Sequence, residues 1–310
     1  MTANLTLPIY TDPEKAREHL EALHWPNGPV CPHCGSVENI TKLQGKSTRP
    51  GVYKCNACEK PFTVTVGTVM EDSKIPLNKW VLAFALVNGS KKGISAHQLH
   101  RSLDITYKSA WFMHHRIREA MKLDAEPMGG LGHDIEADET YIGRDPNKAH
   151  SRTAIRHMNT VVSLVDRKSG VARSFHVTDN LNADTVSGIL YTNVRRESRL
   201  VTDEAYFYLR PGREFAAHGH VNHSQDEYVS RLDRSLHTNT IEGFFSIFKR
   251  GMRGVYQHCS SKHLQRYLHE FDFRYTFRAA NGYDDTARTA EALKGARGKR
   301  LTYRRPATAL

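Results

Sequence analysis

The sequence predicts an α+β multidomain chain made of a small zinc ribbon, a helix-turn-helix bundle and a mixed α/β domain. Two Cys-x-x-Cys pairs stand 20 residues apart near the amino end. A basic, helix-patterned stretch follows them. Beyond residue 130 strand-like and helix-like patterns alternate. The 310 residues carry 44 Lys+Arg against 33 Asp+Glu, a net charge of +11. That balance disfavours acidic-tail proteins and most soluble metabolic enzymes, and favours a polyanionic partner. With 39% hydrophobic and 25% charged residues, a wholly disordered chain is excluded. The longest strongly apolar run, Trp80 to Val87, falls far short of the roughly 20 residues that span a bilayer. The amino terminus has no basic region followed by an apolar one. A cytoplasmic, nucleoid-associated protein with no membrane partner is therefore expected.

Residues 1–28 read as a helical lead-in, begun by Asp12-Pro13, with Ala16, Leu20 and Leu23 on one face. Residues 29–70 read as the ribbon. Cys31-Pro-His-Cys34 and Cys55-Asn-Ala-Cys58 have the spacing of two knuckles that each donate two thiolates to one tetrahedral Zn²⁺. Gly45 and Pro50-Gly51 mark turns, Val52–Lys54 a strand into the second knuckle, and Phe62–Val66 a closing strand. His33 lies inside a knuckle but outside the ligand set, because four thiolates already close the site. Cys259 stands alone and reads as a small buried residue.

Residues 74–125 read as a helix-turn-helix. An apolar helix over Lys79–Val87 ends at Asn88-Gly89, and Lys91-Lys92-Gly93 is a basic turn. Ser95 caps a second helix through Leu103. After the turn Asp104-Ile-Thr106, a third helix opens at Tyr107 or Ser109 and runs to about Met121. Residues 74–122 hold nine Lys/Arg against two Asp/Glu. The third helix is expected to carry Lys108, His114, His115, Arg116 and Arg118 outward. Lys91, Lys92, Lys108, Arg116 and Arg118 are the expected DNA contacts. The plain alternative is a helical bundle with a solvated basic face. The segment Glu126–Gly132, with three glycines and a proline, reads as a linker.

Residues 130–278 hold three acids in telling contexts. Asp138 lies in an alternating strand, Asp134–Ile142, where Ile135, Ala137, Glu139 and Tyr141 oppose Glu136, Asp138 and Thr140. Asp203 ends the short strand Arg199–Asp203. Glu242 opens a helix whose Ile241, Phe244, Phe245 and Phe248 recur at helical spacing. Between them lie strands Thr160–Val165 and Ala172–Val177 and a helix Asn182–Tyr191. Three strands, a helix, a strand and a late helix is the order of a ribonuclease-H-like fold. In that fold the three acids can converge on one sheet edge. Such convergence is what two Mg²⁺ or Mn²⁺ ions need in order to clamp the attacking and leaving oxygens of phosphoryl transfer. Each acid also has a plainer reading: a solvated strand acid, a turn residue, and, for Glu242, the far end of a capping box begun by Asn239. Residues 281–310 carry seven Lys/Arg against three Asp/Glu with little apolar periodicity, and read as a basic surface tail.

The chain resembles the DDE transposases of bacterial insertion sequences of the zinc-ribbon, ISXO-like group. The resemblance rests on Trp25–Gly35, Ser90–Ser95, His115–Met121, Asp138-Glu-Thr-Tyr-Ile-Gly143, His237-Thr-Asn-Thr-Ile-Glu-Gly-Phe244 and His263–Tyr267 with Glu270-Phe271 and Phe273–Tyr275. It implies that Asp138, Asp203 and Glu242 are the catalytic, metal-binding triad. It also implies that Lys249, two helical turns beyond Glu242, is a trailing basic residue able to grip a DNA phosphate. His237 and Asn239 are implied helpers for orienting water or metal. The implied activity is binding of terminal inverted repeats, then metal-dependent strand cleavage and strand transfer. The implied assembly is a homodimer or higher oligomer on double-stranded DNA. A catalytically inactive DNA-binding regulator, or a nuclease that does not join strands, remains as the alternative.

Overall fold

A computed structural model describes residues 4–123, 126–145, 148, 157–221 and 233–302. The chain divides into two compact units, one from residues 1–122 with 283–310 and one from residues 123–282.

The first unit opens with α1 (Pro8–Thr11) and α2 (Pro13–His24). Asp12 accepts from the Glu14 amide at 2.8 Å, capping α2 where Pro13 already fixes the first helical φ. Ala16 and Leu20 are fully buried, as the lead-in pattern requires. Three short antiparallel strands follow in the order β1 (Ile40–Lys42), β2 (Tyr53–Cys55) and β3 (Pro61–Phe62). The last strand is shorter than the predicted Phe62–Val66. The threonines bond locally instead, Thr63 Oγ1 to Thr65 Oγ1 at 2.9 Å and Thr68 Oγ1 to the Thr65 carbonyl at 2.7 Å, which turns the chain out of the ladder. Trp25 meets Tyr53 and Phe62 edge-on, with centroids 5.3 and 5.8 Å apart, and this aromatic trio is nearly all the core the ribbon has.

Helix α3 (Leu77–Asn88) buries Trp80, Val81, Ala83, Phe84, Ala85 and Val87, so apolar residues meet core on nearly every side. Helix α4 (Ala96–Leu103) begins with a capping box in which the Ser95 hydroxyl accepts from the Gln98 amide and Gln98 reaches back. Asp104 ends it in the left-handed region at φ 48°, and Thr106 caps α5 (Tyr107–Ala120). The helix, tight turn and helix are those the sequence predicts.

The second unit is a five-stranded mixed sheet. Strands β4 (Asp134–Ile142), β5 (Asn159–Asp166) and β6 (Ala172–Val177) form an antiparallel meander. Helix α6 (Ala183–Asn193) crosses over to β7 (Arg199–Thr202), which lies parallel to β4. Helix α7 (Tyr206–Gly212) leads to β8 (Ala217–His220), parallel to β7. The spatial order is β6-β5-β4-β7-β8, a ribonuclease-H-like sheet. Strand β5 is buried at every residue because both faces are covered. On one face lie α8 (Asn239–Gly251), a π-helical turn at Met252–Tyr256, and α9 (Ser261–Thr276), packing Ile241, Phe244, Phe248 and Phe271 against Val161 and Val165. On the other, α6 and α7 pack Val186, Leu190 and Tyr208 against Ile135, Ala137 and Leu164.

The predicted surface tail is corrected in part by α10 (Asp285–Lys294), which belongs to the first unit. Asp284 caps it, and Ala292, Leu293 and Ala296 are fully buried. Its inward positions are mostly small, so hydropathy shows little periodicity. Arg288 is also buried, donating to the Asn88 carbonyl at 2.7 Å. Cys259 is half-buried against the α8–α9 core, not fully buried.

Asp272 of α9 fastens that helix to β6. It accepts from the Ser174 amide at 2.8 Å and the Ser174 hydroxyl at 2.6 Å. Burial lifts its carboxyl to about 7, with Ser174 and Arg173 opposing. Against an unfolded value of about 3.9, the folded chain holds the extra proton across that interval, so this group's stabilising contribution is full below pH 4 and is lost as pH rises to about 7. Asp272→Asn should flatten the fall in urea midpoint between pH 5 and 8. An unaltered pH slope would contradict this assignment.

Candidate active site and zinc centre

Asp138 sits at the middle of β4, paired with Ser163 of β5. The parallel register puts Glu136 beside Val201 of β7. Two residues further on, where that pairing has stopped, Asp138 and Asp203 face each other. Carboxylate oxygens of Asp138, Glu139 and Asp203 lie within 4.8 Å of one another. Desolvation holds the Asp138 carboxyl well above the usual carboxylate range, with Glu139, Asp203 and Glu242 adding like-charge repulsion. Burial and Asp203 push Glu139 to about 7. A cluster of acids that resists ionising when bare is one that a bound cation would stabilise.

Glu139 was not foreseen as part of this cluster. Strand alternation puts it on the face opposite Asp138. There the buried Tyr208 hydroxyl donates to its Oε2 at 3.3 Å. Burial, then the nearby carboxylates, raise the Tyr208 phenol well above its ordinary value, so it remains a donor. Asp203 lies past the end of its strand, where the chain leaves the sheet, and its oxygens are within reach of both faces. The available signal was the bare Asp-Glu pair at 138–139, which alternation alone discounts.

Glu242 lies in the first turn of α8. It is outside the 4.8 Å cluster yet near enough to raise Asp138. The capping box begun by Asn239 does not form, because the helix starts one residue earlier, with Thr238 at the N-cap. The Thr238 hydroxyl donates to Glu242 Oε1 at 3.1 Å, and the Ile241 amide donates at 2.7 Å to Glu136, a fully buried carboxylate on β4. Lys249 is half-buried further along α8, its Nζ 6.0 Å from the Phe245 ring centroid. His237 lies beside Glu136, Nδ1 to Oε1 at 3.5 Å, and Asn239 is exposed at the start of α8.

In the first unit, Cys31, Cys34, Cys55 and Cys58 bring their sulfurs within 4.8 Å of one another. Cys31–Cys58 and Cys34–Cys55 are each separated by 3.7 Å. That is far beyond a disulfide bond of about 2.05 Å. It matches the edge, about 3.8 Å, of a tetrahedron whose sulfurs lie ~2.3 Å from zinc. The Cys58 backbone amide is the first of the groups that lower Cys55 to about 7. Geometry and donor set fit a structural Zn²⁺.

Residues 130–276 match the family model of the ISXO2-like transposase domain, and residues 11–61 match that of the transposase zinc-ribbon domain. The chain carries both domains of the ISXO2-like transposases. It is 28% identical over 291 residues to an uncharacterised protein in transposable element ISH50 of Halobacterium salinarum, covering 87% of this chain and 93% of that one. A chain in the cryo-EM structure of the simian T-cell lymphotropic virus intasome in complex with the PP2A regulatory subunit B56 gamma aligns with 56% of this chain and 67% of its own length, at 15% identity and a TM-score of 0.28.

In this transposase the expected basic face of α5 is corrected. Lys91, Lys92 and Lys108 are exposed, whereas Arg116 and Arg118 are 8% and 2% exposed. Arg116 donates to the Glu71 carbonyl at 2.9 Å and the Leu301 carbonyl at 3.1 Å. Arg118 bonds the ring of His114, and both His114 and His115 are buried. Helix α5 is surrounded over its second half, and Arg116 satisfies carbonyls that a purely apolar residue would leave unpaired. Among the described residues, no helix of the transposase is long and apolar enough to cross a membrane.

Replacing Asp138 removes a desolvated like charge. Without divalent ions, Asp138→Asn should therefore melt above the wild-type transposase, by about 2–4 °C for each kcal/mol of relieved repulsion. Adding Mn²⁺ should raise the wild-type midpoint much more than that of the variant. A lower metal-free midpoint would count against repulsion at this cluster.

Proposed function

We propose that this transposase binds the terminal inverted repeats of its element, cuts the DNA strand and joins the freed 3′ end to target DNA. The single observation that carries the reading is the meeting of Asp138 and Asp203 oxygens within 4.8 Å, with Glu242 on a neighbouring helix close enough to raise Asp138. Asp138, Asp203 and Glu242 form the catalytic set and would hold two Mg²⁺ or Mn²⁺ ions, with Glu139 as a fourth carboxylate held by Tyr208. When bound, such a pair would acidify the attacking hydroxyl and stabilise the leaving oxygen.

Cleavage and joining are then one substitution run twice. In the first, a water oxygen bonds to phosphorus and the 3′ oxygen leaves as a hydroxyl. In the second, that 3′ hydroxyl attacks a target phosphodiester and a target 3′ oxygen leaves. The chain's own residues hold the reacting phosphate in line. Lys249 grips a neighbouring phosphate of the element end, two turns along α8 from Glu242. His237 and Asn239 orient water at the start of that helix.

End binding is assigned to the zinc ribbon and to the helix-turn-helix of α4 and α5. Lys91, Lys92 and Lys108 are the phosphate contacts. Arg116 and Arg118 hold the bundle together. Joining two ends calls for at least a homodimer on double-stranded DNA.

A labelled element end incubated with target DNA and Mg²⁺ tests the proposal. Joined product is expected, and Asp138→Asn should abolish both cleavage and joining while end binding in a gel shift survives. Cleavage with no joined product would make the protein a nuclease. Binding without either reaction, at any divalent-ion concentration, would make it a regulator.

A further inference from the structure

We infer that Glu136 and Arg167 are positioning residues that set where Glu242 stands. The inference rests on the reading of Glu242 as part of the ion-binding set. A helix leaves the amides of its first turn without partners inside the helix. In α8 the N-cap Thr238 makes no side-chain bond to them. The Ile241 amide instead donates at 2.7 Å to Glu136 Oε2 from β4. A strand carboxylate therefore caps the helix, and its negative charge suits the positive helix end. Glu136 lies two residues before Asp138 on the same face of β4, and Ile241 lies one residue before Glu242. The Glu136–Ile241 bond thus ties strand to helix two residues from Asp138 and one from Glu242, whose charge raises the Asp138 carboxyl.

Glu136 is fully buried, and a buried carboxylate requires a cationic partner. Arg167, the first residue after β5, supplies it, with Nε 2.5 Å from Glu136 Oε1. The same guanidinium donates to Asp134 Oδ2 at 3.3 Å, the Ser235 carbonyl at 2.5 Å and the His237 carbonyl. One planar fork therefore binds β4 to the segment that leads into α8. Arg199 fastens the same segment again, bonding Asp134 at 2.7 Å, Ser235 Oγ at 2.9 Å and Asp233 at 3.3 Å. The entry of α8 is fixed from the sheet side by two arginines and a carboxylate. Metal-site geometry is sensitive to such outer contacts, whose loss costs about 10- to 100-fold in metal affinity or activity.

The experiment is single-turnover cleavage of a labelled element end across a Mg²⁺ titration, using the full zinc-loaded chain, with thermal melting of each variant. Glu136→Gln keeps an acceptor for the Ile241 amide but loses the charge that pairs with Arg167. It should raise half-saturating Mg²⁺ about tenfold, with cleavage recovering at high Mg²⁺, and Glu136→Ala should lose about 100-fold. Arg167→Lys, which keeps the charge and loses the fork, should move in the same direction as Glu136→Gln. If Glu136→Ala does not fold, the Gln and Lys variants decide. A wild-type Mg²⁺ dependence in both would overturn the inference. So would a Glu136→Gln variant that folds but is as inactive as Asp138→Asn at every Mg²⁺ level, since Glu136 would then be an ion ligand. Asp138→Asn and Glu242→Gln separate the two levels. If both still cleave, the active-site reading fails. If both are inactive and Glu136→Gln behaves as wild type, only the positioning inference fails.

Discussion

Carboxylates that crowd together in a half-buried place oppose both hydration and their own mutual repulsion. Everything in the second unit follows from a backbone rigid enough to impose that crowding. The parallel register of β4 and β7 sets Asp138 and Asp203 side by side. Tyr208 holds Glu139 beside them, and α8, capped from the sheet, brings Glu242 near. The covered faces of β5 and its neighbours give the sheet the stiffness to resist relaxation. The raised Asp138 and Glu139 carboxyls are the electrostatic record of that constraint. A bound divalent cation would relieve it, because opposite charge offsets the repulsion that burial magnifies.

The first unit solves a different problem. Its ribbon strands are two or three residues long, and its core is little more than Trp25, Tyr53 and Phe62. Four sulfurs at tetrahedral-edge spacing supply the missing cohesion. The helical part is conventionally cored around α3, with α10 closing on it from the far end of the chain.

Much of this was legible in the residues because the signals are local. Two-residue knuckle spacing, the Ser95 cap, the Asp104 turn and the period-two pattern of β4 each act within a few positions. What escaped depends on distant partners. Strand β8, Ala-His-Gly-His, has no apolar alternation because it is an edge strand held mainly by its ladder to β7. Arg116 and Arg118 look like DNA contacts until the carbonyls and rings around them are known. Glu242 fits a capping box on paper, and only a buried acid from β4 takes over the cap. The small inward residues of α10 carry too little hydrophobicity to mark a buried helix. Glu139 was hidden by strand alternation, which holds along the strand but not for Asp203, beyond the end of its neighbour.

The central claim is that carboxylates from β4, the end of β7 and α8 grip a pair of ions. Anomalous scattering from crystals of the transposase with its DNA end and Mn²⁺ addresses it directly. The account predicts two Mn²⁺ peaks about 3.5–4 Å apart, held among Asp138, Asp203 and Glu242. A single peak, or a pair that leaves Glu242 without contact, would contradict it.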